Sequence, residues 1–423
     1  MATSAPAQPI VRNERWALWT LAAVQFTHIM DFMIMMPLGS HLMRVFAIGP
    51  AQFSWLVSAY GWSAGFMGFL GGFVLDRFDR KRALLALYTG FGIATLACAL
   101  APTFHLLVLA RIAAGAFGGV AGSVVTAMVG DLIPPERRGR AMATVMSAFP
   151  LASILGVPVG LMLAGWWEWH APFFLLAGLS VVIFAVAWRV LPHVTVHRTD
   201  QHPVRQMFAI VTHPVHVRGF LLSTALVFAG GSVIPFMAPS MVANVGVPEE
   251  RLWLIYLAGG GCTFFSMPWF GRLSDRHDKL RVLAWATLAA AITVLILTNL
   301  PASPLPVALV VAGLFFVSMS GRFTPAMALI TNAVEARYRG GFMSVNAAVQ
   351  QAASGLATII SGLLVTRDLA TGRLLGYPRV GLVAAACFGL TVVLAAWLRA
   401  LVPHAARPAP ARAALVLEEP AAK

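Results

Sequence analysis

By length alone, 423 residues would make two or three water-soluble domains, yet 59% of them are hydrophobic and only 11% are charged, against ~25% charged in a typical soluble domain. That composition excludes a soluble globular protein. A formal net charge of +14 raises nucleic acid as a partner, but the charges follow the gaps between apolar runs, so no nucleic acid is expected.

Residues 1 to 15 read as a polar cytoplasmic tail that contains proline and lacks the pattern of a cleavable signal peptide. Twelve apolar runs follow, near 16–38, 51–74, 83–101, 104–129, 141–165, 171–191, 217–241, 252–270, 282–300, 306–331, 342–365 and 380–402. Each holds about twenty residues, enough at ~1.5 Å rise per residue to cross a hydrocarbon core ~30 Å thick. Six runs lie in 16–191 and six in 217–402, with a cytoplasmic linker at 192–216 and a cytoplasmic tail at 403–423. The expected fold is an all-α membrane protein of twelve transmembrane helices.

With the N-terminus placed in the cytoplasm, 23 of the 30 Lys and Arg fall on that side and five (Arg44, Arg251, Arg367, Arg373 and Arg379) on the other. The positive-inside rule then puts both termini in the cytoplasm, and the basic loops lie against anionic lipid headgroups. Five histidines between His193 and His216 show no fixed ligand spacing, so the linker reads as solvated and no metal is expected. Cys98, Cys262 and Cys387 lie in spans and read as small apolar filler.

Of the 16 carboxylates, Asp31 alone falls deep in an apolar run. A charge there costs at least ~2.5–3.5 kcal/mol on insertion scales, which makes Asp31 the leading functional candidate. Gln25 and His28 precede it by two turns and one turn on the same side of the first helix. The first run ends near Pro37, and the fourth, running the other way, starts near Phe104; helix rise then puts Asp31 and Arg111 at the same depth, ~10 Å below the outer boundary. An ion pair between them is compatible with these depths, as is a purely structural role for Arg111. Phe32, Met33, Met35 and Met36 crowd the first helix, and Phe236 with Met237 sits between Pro235 and Pro239. Such faces suit either a permissive hydrophobic pocket or ordinary packing. Arg322, between Gly321 and Pro325, either attracts an anionic substrate group or braces a helix broken at those residues. Asn346, Gln350 and Ser354 recur every fourth residue, a polar stripe expected to face a central cavity as a substrate contact or as helix glue.

The two halves echo one another. Gly72-Phe-Val-Leu-Asp76-Arg77-Phe-Asp79-Arg80-Lys81-Arg82 returns as Gly271-Arg-Leu-Ser-Asp275-Arg276-His-Asp278-Lys279-Leu-Arg281 at an offset of 199, and Asp131…Arg138-Gly139 returns as Asn332…Arg339-Gly340 at 201. A duplicated six-helix unit follows.

With these motifs the chain resembles the major facilitator superfamily, and within it the twelve-helix drug/proton antiporter branch. The first loop is similar to the superfamily's G-x-L-a-D-R-x-G-R-K signature, with Val74 for the Leu and Asp79 for the second Gly, which removes the residue expected to make the tight turn. Arg111…Gly115 matches the pattern of helix four, and Gly156-Val-Pro158-Val-Gly160 resembles the antiporter G-P-x-x-G motif with one residue inserted, as in arabinose-efflux-like members. The resemblance implies two pseudo-symmetric six-helix bundles working by alternating access. The residues themselves offer Gln25, Phe32, Met35, Phe236, Met237, Arg322, Asn346 and Gln350 as candidate substrate contacts; the resemblance implies proton coupling through Asp31 and Arg111, beside which His28 stands. It also implies gating at Gly72, Asp76, Arg77, Arg80, Asp131, Arg138, Gly156, Pro158, Gly160, Gly271, Asp275 and Arg276, with Asp76 latching onto the start of helix eleven near Gly340. A carboxylate's proton affinity rises with desolvation and falls beside a guanidinium, so a conformational change that alters either can move a proton across.

No P-loop, HExxH, GxSxG or CxxC occurs, so neither an enzyme nor an ATP-driven pump is expected. The reading is a monomeric exporter of small organic molecules in a bacterial inner membrane, with no cofactor and the proton as coupling ion. Sugar or metabolite efflux is the alternative within transport, and a non-transporting receptor or scaffold the alternative of another class.

Overall fold

The computed structural model describes residues 14–74, 78–194, 203–335, 337–368 and 370–406. The first run folds as α1 (Glu14–Ile34), which ends four residues earlier than expected because the chain turns at residues 35–38 into the short α2 (Gly39–Val45). Then come α3 (Pro50–Val74), α4 (Arg80–Ala99) and α5 (Phe104–Leu132). The fifth run is built from α6 (Pro135–Met146), α7 (Ala148–Leu151), a π turn (Ala152–Gly156) and α8 (Val157–Trp167), followed by α9 (Ala171–Val190). The linker is not wholly irregular: Pro203–Thr212 forms α10. The second half holds α11 (Pro214–Ser240) with a π turn at Met241–Val245, α12 (Leu252–Arg276), α13 (Lys279–Thr298), α14 (Leu305–Ala333) and α15 (Arg339–Leu364). A two-residue hairpin pairs β1 (Thr366–Arg367) with β2 (Leu374–Leu375) before α16 (Tyr377–Leu401). Among the described residues ten segments are long and apolar enough to cross a membrane, the broken fifth run counting as one. With α3 and α12, at 25 residues each, they make six spans in each half.

Local chemistry sets the boundaries. Proline opens α3, α6, α10 and α11, where its missing N–H costs no helical hydrogen bond. Asp79 caps α4 by accepting the Arg82 amide at 2.9 Å, and Asp278 caps α13 by accepting the Arg281 amide at 3.1 Å. The turn before α4 is therefore made by an aspartate at φ −58°, which needs no glycine. Burial pushes the Asp79 carboxyl up, but the Arg82 amide and the His193 ring outweigh it and hold the group below its ordinary range. The duplication extends to helix lengths: α3 and α12 have 25 residues, α4 and α13 have 20, α5 and α14 have 29.

The inserted residue of the Gly156-Val-Pro158 motif has a structural counterpart. A π turn closes i→i+5 bonds and so accommodates an extra residue, and Ala152–Gly156 adopts one that ends just before Val157-Pro158. It also shapes the seam between the lobes, since a methyl on Gly260 of α12 would meet the Ile154 main chain there.

Two lobes, α1–α9 and α11–α16, meet along α3 against α15 and along α12 against α7, the π turn and α8. At the end where α1 begins and most of the described basic residues lie, each lobe has its own buried cluster, one around Leu21, Tyr88 and Val125, the other around Leu222, Leu329 and Phe342. At the opposite end one cluster runs through both lobes, joining Ile34, Met35 and Phe53 to Phe236, Met237 and Met241. The molecule is thus sealed at the end away from its basic loops.

Candidate functional site

Asp31 on α1 and Arg111 on α5 meet in the N-terminal lobe, where both side chains are fully buried. Arg111 Nη1 donates to Asp31 Oδ2 at 2.6 Å and to the Asp31 main-chain oxygen at 3.1 Å. The guanidinium carbon stands 4.5 Å from the centroid of the Tyr60 ring, which belongs to α3. Tyr60 in turn donates its hydroxyl to the His28 carbonyl at 3.2 Å, and Phe32 packs on its ring at 5.4 Å between centroids. Three helices therefore converge on one charge pair.

Glycine permits the convergence. A methyl on Gly115 would strike the Tyr60 main chain, and one on Gly122 would stand 3.1 Å from His28 Nε2. The Arg111…Gly115 pattern thus has a physical content: the arginine needs Tyr60 beneath it, and the glycine one turn on lets α3 come that close.

The pair is only half satisfied. Asp31 Oδ1, Arg111 Nε and Nη2, His28 Nε2 and Gln25 Oε1 are all buried without a partner. A buried charge pair is most stable when its remaining donors and acceptors are filled, and here five of the neighbouring polar atoms are not.

In the C-terminal lobe α14 runs unbroken through Gly321 and Pro325, which overturns the expected helix break. Arg322, 3% exposed, donates Nη2 to the Leu226 carbonyl at 2.8 Å and Nε to Met319 Sδ at 3.2 Å, with Phe388 against its face at 4.4 Å. Asn346 is buried with both amide atoms unpartnered, and Gln350 reaches Met327 Sδ at 3.7 Å. Ser354 lies against Gly231 of α11, so the polar stripe of α15 turns toward α11 and α14, while Ala348, Gln351 and Gly355 meet α3.

Met35, Phe236 and Met237, expected as pocket lining, are instead at most 1% exposed and packed into the seal between the lobes. The correction has a simple cause: an apolar side chain suits a partner lobe as well as a solute, and this conformation brings the lobes together there. Phe53 meets Phe236 edge to face at 5.9 Å. Above the seal Arg44 of α2 pairs with Glu249, just before α12, through parallel bonds of 2.9 and 2.7 Å. Burial and the neighbouring Arg44 hold His41 below its ordinary range, against the pull of Glu249 and Glu168. Arg44, Glu249 and Tyr60 were not singled out from the sequence. Opposite charges in two loops on the same side were the available signal for the first two, and a tyrosine inside an apolar run for the third.

The expected gating residues divide. Asp76 and Arg77 lie outside the described residues, and Gly72 sits in the last turn of α3. Arg80 Nε donates to Asp131 Oδ2 at 3.2 Å, and Arg138 Nη2 to the Gly130 carbonyl at 2.6 Å, which ties α4 and α6 to the end of α5. Gly156 and Gly160 let α8 approach Met30 and Ile34 of α1, with Pro158 buried between. Gly271 has open space around it, and Asp275 and Arg276 are exposed at the end of α12. These pairs stay within a lobe, as does Asp278 with Arg399 at 3.1 Å, whereas Arg44–Glu249 joins the two.

A family model described as Major Facilitator Superfamily matches residues 21–246 and again 220–421. The chain is 24% identical over 369 residues to the uncharacterized MFS-type transporter YceJ of Bacillus subtilis (strain 168), covering 86% of this chain and 93% of that one. Its fold is similar to that of a D-xylose-proton symporter, with a TM-score of 0.76 at 16% identity over 92% of this chain and 98% of that one. It is also similar to a bacterial homolog of the human lysosomal transporter Spinster, with a TM-score of 0.70 at 17% identity over 92% and 96%.

Proposed function

The chain belongs to the major facilitator superfamily, and from that premise we propose that this membrane transporter exports small organic molecules of the multidrug type in exchange for protons. The buried Asp31–Arg111 pair carries the reading. An intramembrane carboxylate is costly and, where retained, marks a solute or proton pathway, and this one keeps an oxygen free while its partner arginine keeps two nitrogens free.

The basic end faces the cytoplasm of a bacterial inner membrane, as the charge distribution of the loops supports. With the opposite end sealed, the charged pair belongs to the state that accepts solute from the cytoplasm. The lobes then rock, and a proton arriving from outside neutralises Asp31, frees Arg111 and favours release of the solute. Returning to the present conformation restores the ion pair and delivers the proton inside. At ~2.3 kcal/mol per charge per ~100 mV, one imported proton supplies useful work for export.

The test is solute-dependent proton release from the detergent-purified protein, together with proton-coupled uptake in sealed inverted vesicles, compared between wild type and Asp31→Asn. Loss of both in the variant is expected. Retained proton-coupled transport by Asp31→Asn overturns the reading. Competition of sugars against lipophilic drugs in the same vesicles separates multidrug export from sugar or metabolite efflux.

A further inference from the structure

Asp31 lies against Arg111, and no carboxylate of the described residues lies against Arg322. A guanidinium does not shed its proton in a protein, so Arg322 stays a cation wherever it is buried. Its surroundings supply hydrogen-bond acceptors and a ring face but no negative charge: the Leu226 carbonyl, the Met319 sulfur and Phe388. These contacts fix the plane of the guanidinium and leave Nη1 buried, with hydrogens that reach no acceptor. Retaining an uncompensated cation in a lobe core is unfavourable unless something of opposite charge arrives.

We propose that Arg322 is an anion-binding subsite inside the C-terminal lobe, where its free Nη1 edge between α11, α14 and α16 takes one monovalent anion, the carboxylate of the transported solute or a halide. Arginine suits this task because its planar fork matches a carboxylate and sheds water more readily than an ammonium. The helices that cover the site are ones that can bend. Helix α11 carries Pro235 and Pro239 and ends in a π turn, and Pro325 follows Arg322 by three residues on α14. Each proline deletes a main-chain hydrogen bond of its own helix. The subsite itself stands on this geometry, and only the identity of the anion as part of a cargo rests on the transport reading.

The experiment follows thermal unfolding of the full-length protein in detergent by scanning calorimetry, with ionic strength held by sodium sulfate. The probes are sodium acetate, benzoate and indole-3-acetate, each beside its neutral amide, and sodium chloride. Expected are a rise in Tm that saturates with anion concentration in wild type, none with the amides, loss of the rise in Arg322→Gln and a weakened rise in Arg322→Lys. Should Arg322→Gln not fold, Met319→Glu offers a carboxylate from one turn away. It is expected to raise Tm without added anion and to abolish the further rise. A rise with carboxylates alone assigns the subsite to the cargo, and an equal rise with chloride assigns it to a halide. Equal effects of acids and amides, a full rise in Arg322→Gln, or no rise with any anion overturns the proposal. No gradient enters this readout, so its failure leaves the Asp31 cycle standing, and failure of that cycle leaves the subsite standing.

Discussion

Replacing Arg44 with Gln should loosen the sealed end of the molecule by an amount that can be bounded. The Arg44 side chain is 51% exposed and that of Glu249 25%, so water screens the pair and places it among surface ion pairs worth ~0.2–1 kcal/mol. Two parallel charge-assisted bonds at 2.9 and 2.7 Å put it at the upper end of that range. About 1 kcal/mol corresponds to roughly fivefold in the ratio of sealed to open molecules. The apolar cluster beneath, with Met35 and Phe236 at 0% exposure, remains in place, so the variant shifts a population rather than abolishing the seal. A cysteine at Ala238, 1% exposed within that cluster, reports the opening in a background lacking Cys98, Cys262 and Cys387. Labelling by an impermeant maleimide from outside should run roughly three to five times faster in Arg44→Gln and in Glu249→Gln. The swap Arg44→Glu with Glu249→Arg should return it to within about twofold of wild type. Unchanged labelling in both single variants, or a swap as fast as the singles, refutes the latch.

Removing either partner of the Asp31–Arg111 pair leaves a buried charge uncompensated, so Asp31→Asn and Arg111→Gln should each cost ~3–5 kcal/mol. The double variant should cost clearly less than their sum, and additive losses in denaturant unfolding in detergent would count against a coupled pair. Gly115→Ala drives a methyl into the Tyr60 main chain and should cost about 1–3 kcal/mol with loss of transport, whereas Gly130→Ala, which meets nothing within 4 Å, should leave both intact. Parallel thermal unfolding and vesicle transport check that contrast. Asp79→Ala removes the cap of α4 and should cost ~0.5–2 kcal/mol. Because Asp79 is held below its ordinary range, its contribution is present above the unfolded pKa of ~3.9 and fades as pH falls through the lower native value. The Tm of the variant should therefore fall less steeply than that of wild type on acidification below about pH 4.

The twelve spans, their division into two lobes and the duplicated loops were legible in the chain because a membrane imposes a minimum apolar length and leaves charges to the loops. Depth was legible too. Helix rise is nearly constant, so counting residues from the ends of two apolar runs put Asp31 and Arg111 level, and the structure joins them at 2.6 Å. The cap at Asp79 and its counterpart at Asp278 show how local sequence carries a turn even where the glycine of the signature is missing.

Rotation and pairing between helices were decided only by the tertiary structure. Whether α1 turns Asp31 toward α5 depends on how closely Gly115 and Gly122 let three backbones approach, and many rotations share one hydrophobic pattern. Arg44 and Glu249 stand 205 residues apart in short helical turns that no periodicity links, so their bond exists only once the lobes close. Likewise nothing in the composition of Met35, Phe236 and Met237 distinguishes a pocket wall from a seal, because the hydrophobic effect is indifferent to which apolar surface excludes the water.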